Sequence, residues 1–343
     1  MESLSPAELN RAVLARQRLL ARERLPLPET LERVAGIQAQ YAPSMYIGLW
    51  SRLDGFERAA LTRALEDRSV IQATLMRVTI HLVAHADFWP FALATREARR
   101  ALWLRSRGGE PGAAAMRGAA RSVRRALADG ATLKRTEVEA LVGKDRAQGV
   151  GLWVDLVRVP PSGTWERRRA DLFALAEAWL GPPGVTAQEG VEQLVRRYLA
   201  GFGPASVADI QSYTGLPRPA FEPALERLAL RRFRGESGGE LLDLPRAPLP
   251  DAQTPAPVRF LPTWDATLLV HARRTRILPE EYRPRIFNAR NPHSMATFLV
   301  DGAVAGTWRH AAGRIELEPF RRLDRATQRA LREQADRLAD LHR

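Results

Sequence analysis

The chain contains no cysteine among its 343 residues, which excludes disulfide bonds, a thiolate nucleophile, iron–sulfur clusters and the usual zinc sites. It has no apolar run of about eighteen residues, the length that a membrane-spanning helix needs, and its N-terminus lacks a signal-peptide layout. A phosphate-binding glycine loop, a nucleophile elbow and an HExxH zinc motif are missing as well. With 45% apolar residues the chain can still bury a core, so we expect a cytoplasmic globular protein of two or three modules.

Lysine is almost missing too, although the chain is strongly basic. The formal net charge is +13, and all but two of the 52 basic residues, Lys134 and Lys144, are arginines. A GC-rich genome would favour arginine over lysine without selection for binding, but it would not produce the excess of positive charge. That excess predicts an anionic partner, nucleic acid first, and arginine suits phosphates and guanine edges.

The first 110 residues have the pattern of a winged helix, in which helices precede a strand hairpin. Ser5 opens the first helix through a capping box, and a second helix is predicted from Pro28, carrying Gln38 and Gln40 near its end before Pro43 stops it. A third helix is expected near residues 57–67. The β-branched runs VIQATLM and VTIHLVA then predict paired strands, and a helix follows over about 87–106.

Two further modules repeat this pattern. In the second, Thr132 is predicted to cap a short helix that ends at Gly143, and the turn-rich VPPSGTW lies where a wing would be. In the third, Thr186 and Ser206 open helices, and a helix from Arg218 to Leu228 precedes a strand–turn–strand pattern.

A proline-rich linker leads to a mostly β segment in which VRFLPTW, ATLLVHA, ATFLV and AVAGTW read as short strands, followed by an amphipathic helix. We therefore predict an α+β chain of tandem winged-helix (helix-turn-helix) modules with a small C-terminal β-barrel. The predicted units are the winged-helix modules 1–110, 111–185 and 186–245, the linker 246–257, and the barrel with its C-terminal helix, 258–343.

Five segments occur in an order that is more specific than any of them alone: GIQAQ, MRVTIHLV, PPSGTWERR, AEAWLG and VDGAVAGTWR. With this order the chain resembles the HTH_42 winged-helix family of AlkZ/YcaQ-like bacterial DNA glycosylases, from about residue 9 to residue 309. The resemblance implies a monofunctional DNA glycosylase that hydrolyses the N-glycosidic bond of N7-alkylated purines in double-stranded DNA. Whether its substrates include bulky antibiotic adducts or crosslinks stays open at this stage. It implies no cofactor and no metal.

The family motif is glutamine, an apolar residue, then glutamine or aspartate, so the resemblance assigns Gln38 and Gln40 as the catalytic pair. A base alkylated at N7 is cationic and leaves as a neutral molecule, so amide groups that position a water and stabilise charge are sufficient. The second glutamine favours the self-resistance subtype over the aspartate subtype. Without the resemblance, both side chains would be interpreted as caps of a helix C-terminus.

The resemblance also assigns DNA-binding residues. Arg77, Thr79 and His81 alternate in MRVTIHLV and are expected to line the catalytic cleft or to tie modules together; the family has glycine where this chain has Val78. The segment EEYRPRIFNARNPHSM is interpreted either as a solvated loop or, as the resemblance implies, as a basic hairpin that enters a DNA groove. It carries Arg283, Arg285, Arg290, Asn291 and His293. The helix from Arg218 is a candidate recognition helix or a buried scaffold element.

Three alternatives remain open at this stage. A non-catalytic winged-helix transcriptional regulator fits the charge and the helix-turn-helix pattern, but the sequence has no coiled coil to enforce the dimer that operators usually need. A metal-dependent nuclease lacks a carboxylate cluster. His81 and His85 have the spacing of a helical zinc pair, yet in a strand they would lie about 13 Å apart. We expect a monomer that associates with the nucleoid through DNA and not with membranes.

Overall fold

The computed structural model describes residues 1–236, 238–269, 275–287 and 294–343. Its N-terminal part confirms the Ser5 capping box, the helix near residues 57–67, the strand pair and the long helix that follows. The elements are β1 (Ser3–Leu4), α1 (Pro6–Arg16), α2 (Leu27–Arg33), β2 (Ile37–Gln38), α3 (Ala42–Arg52), α4 (Arg58–Glu66), β3 (Val70–Thr74), β4 (Ile80–Ala84) and α5 (His85–Ser106).

The predicted position of the glutamines at a helix end is wrong. Helix α2 ends at Arg33, and the chain turns through Ala35 and Gly36, whose φ angles are 63° and 80°. The hydroxyl of Tyr213 donates to the Ala35 carbonyl and so holds this turn. Gln38 then lies in strand β2, and Pro43 begins α3 instead of ending α2, because proline at the first turn of a helix loses no hydrogen bond.

The second module consists of α6 (Ala113–Ala126), β5 (Thr132–Lys134), α7 (Arg135–Val142), α8 (Lys144–Ala147), β6 (Leu156–Arg158), β7 (Leu172–Leu175) and α9 (Ala176–Leu180). The predicted helix end at Gly143 is confirmed, with φ at 84°. The predicted cap is wrong: Thr132 is paired in β5 with Ala174 of β7, and the N-cap position is Lys134.

The hairpins of the first two modules share one sheet. Its six strands run in the order β2-β4-β3-β6-β7-β5, and each neighbouring pair is antiparallel. The joining pair is β3 with β6, in which Ala73 lies opposite Val157. The first two modules are therefore one continuous structure, with β2 and its glutamine at the sheet edge.

The third module contains α10 (Ala187–Phe202), α11 (Val207–Thr214), α12 (Arg218–Arg227), β8 (Arg231–Gly235) and β9 (Glu240–Asp243). The predicted capping boxes at Thr186 and Ser206 are confirmed. Strand β1 pairs in parallel with β8, so the N-terminus completes a three-stranded sheet with this hairpin. Helix α12 buries Phe221 and Ala224 against the rest of the module, and Arg218 at its start stays exposed.

The C-terminal module contains β10 (Arg259–Leu261), α13 (Arg283–Ile286), β11 (Thr297–Val300), β12 (Ala303–Ala311), β13 (Arg314–Pro319) and α14 (Arg325–His342). In the described ranges its strands form an open four-stranded sheet, β10-β11-β12-β13, and not a closed barrel. The segment ATLLVHA, predicted to be a strand, begins as a 3₁₀ turn over Ala266–Leu268, because the Asp265 carboxylate caps Thr267; its later residues lie outside the described ranges.

Buried ion pairs join distant parts of the chain. Arg16 of α1 binds Asp243 of β9 at 2.7 Å, and Arg52 of α3 binds Asp265, next to β10, at 2.9 Å; all four side chains are at most 1% exposed. The linker is also held, since Arg16 donates to the Pro248 carbonyl. Among the described residues, no helix is long and apolar enough to cross a membrane.

Candidate active site

Gln38 lies on the edge strand of the six-stranded sheet, directly opposite His81 of β4. Strand alternation sends its neighbours Ile37 and Ala39 to the other side, where both are buried in the core cluster below α3. Gln38 is itself only 5% exposed, and no described residue hydrogen-bonds to its side-chain amide. The motif therefore places a buried amide with unused hydrogen-bonding capacity between two apolar anchors.

Gln40 lies just beyond the strand and is exposed. The Ala39 amide donates to the Ile80 carbonyl at 2.8 Å, and the Ile80 amide donates to Oε1 of Gln40 at 3.1 Å. The Gln40 side chain thus takes the place of a backbone carbonyl in the ladder. Because the Ile80 N–H can only donate, the atom facing it must be the carbonyl oxygen. The amide NH₂ and the second lone pair of Oε1 remain for a ligand.

A cavity of about 180 Å³ lies against Gln40, between the first two modules. Its lining includes Thr74, Val78, Arg135 and Arg158, whereas Gln38 is not part of the lining. Arg158 donates to the Thr74 hydroxyl at 3.0 Å and to the Ala170 carbonyl at 3.1 Å. Burial, with a smaller contribution from Arg135, lowers the pKa of Arg158 to about 10. Arg158 is still a cation near neutral pH, so the cavity combines an oriented amide with positive charge.

His81, the cross-strand partner of Gln38, is buried and neutral. Burial and the nearby Arg77 lower the pKa of His81 to about 3. Its Nδ1 lies 3.0 Å from the Thr79 carbonyl, so Nδ1 carries the proton and Nε2 has the free lone pair. His85 is exposed and bonds the Arg68 carbonyl, and no group of three metal-binding side chains occurs in the described residues.

The turn between β3 and β4 is strained and tied to the third module. Arg77 and Val78 have φ angles of 54° and 61°, a left-handed conformation that glycine adopts at no steric cost and a β-branched valine rarely adopts. The Arg77 guanidinium donates to the Tyr213 carbonyl and lies 5.5 Å from the centroid of that tyrosine ring. Thr79 donates to the Met76 carbonyl at 3.0 Å. Arg77 thus ties modules together, and Thr79 closes the turn.

The predicted basic hairpin is described in part. Arg283 and Arg285 are exposed on α13; Arg285 pairs with Glu318 at 2.9 Å and covers the Phe320 ring, while Arg283 lies 3.8 Å from Glu280. The other three residues proposed for this hairpin lie outside the described residues; they are Arg290, Asn291 and His293. The arginines of the candidate recognition helix are engaged by carboxylates, as Arg218 is by Glu222.

Sequence reasoning missed Arg158 and Tyr41. The signal for Arg158 is a cation in the apolar segment LVRV, where a strand residue on a buried face needs a polar partner. Tyr41 follows Gln40 directly and is 44% exposed, which is unusual for a large aromatic residue beside a core helix. Its hydroxyl accepts from Arg168 at 3.0 Å.

The chain belongs to the AlkZ-like family of DNA glycosylases, whose family model matches residues 31–341. It is therefore a DNA glycosylase that acts in DNA repair. Among solved structures, the Streptomyces sahachiroi DNA glycosylase AlkZ has the same fold: the TM-score is 0.83 at 19% sequence identity, covering 99% of this chain and 97% of that one. No curated protein sequence matches this chain.

Proposed function

We propose that the enzyme is a monofunctional glycosylase that hydrolyses the N-glycosidic bond of N7-alkylated purines in double-stranded DNA. The observation that carries the proposal is Gln40, whose carbonyl is oriented by the Ile80 amide at the edge of a cavity that also holds the Arg158 cation. The site offers fixed dipoles beside a space for a small planar group, and its described lining contains no carboxylate or histidine for proton transfer.

The chemistry fits such a site. Alkylation at N7 makes the purine cationic, so the electron pair of the breaking C1′–N9 bond neutralises the base, which leaves without a general acid. Water then adds its oxygen to C1′ and loses its proton to solvent. The free lone pair of the Gln40 carbonyl would accept a hydrogen from this water and face the developing positive charge on the sugar. An undamaged purine would leave as an anion and would stay attached.

Gln38 is proposed as the second member of the catalytic pair. It lies two residues before Gln40 and is buried, and its amide has no partner among the described residues. His81 lies opposite it in the ladder, and the lone pair on Nε2 of His81 is a suitable acceptor for the Gln38 NH₂ group. With that contact made, the carbonyl oxygen of Gln38 would remain available to accept a hydrogen bond from the attacking water. We propose this arrangement for the DNA-bound enzyme.

The DNA contacts are proposed from charge and position. Arg77, Thr79 and His81 stay candidates for the cleft. The groove-binding element is proposed to be the basic segment that carries Arg283, Arg285, Arg290, Asn291 and His293, which the sequence predicts to be a hairpin. We propose that the helix-and-hairpin units are winged helices that serve as scaffold, and that the protein is a cytoplasmic monomer. Phosphate binding by many arginines predicts affinity for undamaged duplex that falls steeply with added salt, without sequence preference.

Excision assays test the proposal directly. The enzyme is incubated in excess with a duplex that carries one N7-methylguanine, with an undamaged duplex as control, and free base is measured. Release of N7-methylguanine alone supports the proposal. No release, together with one duplex sequence bound ~10³-fold more tightly than others at physiological salt, would instead identify a regulator.

A further inference from the structure

A second cavity, of about 360 Å³, lies on the other side of the glutamine motif. It is bounded by the start of α3, the loop after β6, the C-terminal sheet and the end of α14, and we call it the aromatic pocket. Its walls include Tyr41, Arg168, Met295, His310 and His342. Tyr41 follows Gln40 in the chain, so their Cα atoms lie about 3.8 Å apart. The aromatic pocket therefore adjoins the glutamine motif.

The lining is unusually apolar for an exposed surface. Five large hydrophobic side chains are strongly exposed in the described part of the chain, and two of them, Tyr41 at 44% and Met295 at 46%, border this one pocket. Exposed apolar groups gathered at one concave place indicate a binding site more often than scattered ones do.

One wall is a stack of two imidazole rings. The rings of His310 and His342 lie 4.1 Å apart at an interplanar angle of 9°, and Trp165 meets His342 edge-on at 5.1 Å. Burial first, and then the neighbouring His310 and Arg168, lower the pKa of His342 to about 4, so this ring is neutral. Nε2 of His342 is buried and has no hydrogen-bond partner among the described residues. The wall therefore contributes flat aromatic rings to the pocket.

The charge beside these rings is positive. Arg168 contacts the Tyr41 hydroxyl and has no carboxylate partner in the described residues, while Arg309 is paired with Glu316 at 2.6 Å. No carboxylate is part of the described lining. Aromatic faces beside arginine are how proteins bind unstacked bases of a nucleic-acid strand, because the rings stack on the base and the cation meets the phosphate.

We propose that the aromatic pocket receives an unstacked nucleobase of the DNA substrate, different from the base that is excised. The base would be the partner of the excised nucleotide or one of its two neighbours, since the pocket adjoins Gln40. The inference rests on the proposed function for the identity of the ligand. Holding a second base would keep the strand open around the lesion.

The test measures DNA binding and not excision. It combines protein variants with duplexes from which one chosen base has been removed. Duplexes carry a tetrahydrofuran abasic analogue at the lesion position, and a second tetrahydrofuran replaces the opposite, the 5′ or the 3′ base. Affinities are measured by fluorescence anisotropy at fixed salt for wild type, His310→Ala and Met295→Ala. Leu141→Ala is the matched control, because Leu141 is 45% exposed on another surface.

We expect both pocket variants to weaken binding of the single-analogue duplex roughly 5- to 150-fold, as for loss of base stacking. On the duplex that lacks the base held in the pocket, the same variants should have little further effect, and Leu141→Ala should have none on any duplex. Equal weakening on all four duplexes, or no weakening, would overturn the proposal. Failure of N7-methylguanine release with this coupling intact would contradict the proposed substrate instead.

Discussion

Removing the carboxylate of Asp265 should destabilise the whole fold. Arg52 reaches both carboxylate oxygens, at 2.9 and 3.0 Å, and each side chain is 1% exposed. Arg52 ends α3, the helix that starts directly after the glutamine motif, and Asp265 follows β10 of the C-terminal sheet. The pair therefore fixes α3 against the C-terminal module.

The magnitude follows from burial. Asp265→Ala leaves the Arg52 guanidinium buried without its counter-charge, which costs about 3–5 kcal/mol of unfolding free energy. The matched control is Asp54→Ala, which removes a pair with Arg24 whose side chains are 46% and 84% exposed. Such an exposed pair contributes only about 0–1 kcal/mol. The double variant Arg52→Met with Asp265→Leu should recover much of the loss, because no unpaired charge remains.

Urea denaturation followed by circular dichroism measures these differences. Burial alone would raise the pKa of Asp265, but the Arg52 charge and its hydrogen bonds outweigh burial, so the pKa is lowered. The contribution of the pair is thus present above about pH 3.9, the unfolded value, and is lost as the pH falls through the lower folded value. A loss for Asp265→Ala no larger than for Asp54→Ala would refute the reasoning.

Two further predictions concern the site, and one concerns the stability of the loop before β7. The excision rate should not change between about pH 5.5 and 8, since His81, with a pKa of about 3, stays neutral there, and a rate that follows a titration near 6.5 would contradict this. Gly163→Ala should lower the free energy of unfolding by about 1–3 kcal/mol more than Gly130→Ala does. Both glycines have positive φ, but a methyl group at Gly163 would meet Gln72 and Ala170, whereas Gly130 faces open space. Equal losses of Tm would show that Gln72 moves aside. Borohydride should trap no protein–DNA adduct, because neither Lys134 nor Lys144 lines the Gln40 cavity.

Features with local causes could be predicted from the sequence. The capping boxes at Ser5, Thr186 and Ser206 depend on residues three apart, and the structure has all three. Alternating β-branched residues were sufficient to predict the β3–β4 pair. The sheet that joins the first two modules could not be predicted, because the β3–β6 pairing links residues about 85 positions apart and no local pattern encodes it.

The site was predictable as a motif but not as a geometry. Proline is compatible with the end or the start of a helix, so Pro43 was assigned to the wrong helix, and nothing local showed that Ala35 would adopt a positive φ. The orientation of the Gln40 side chain depends on Ile80, forty residues away. The positive charge of its cavity depends on Arg158, which belongs to the second module. These contacts exist only because the shared sheet forms.

The most direct test of the central claim is single-turnover excision of N7-methylguanine by the glutamine variants. Gln38→Ala and Gln40→Ala should each lower the rate by ~10²-fold or more, as for loss of one oriented contact in the transition state. DNA affinity should change little, since neither side chain is charged. Gln188→Ala, on the exposed side of α10, is the matched control and should excise at the wild-type rate. Wild-type rates for both motif variants, with unchanged thermal melts, would contradict the assignment of the active site.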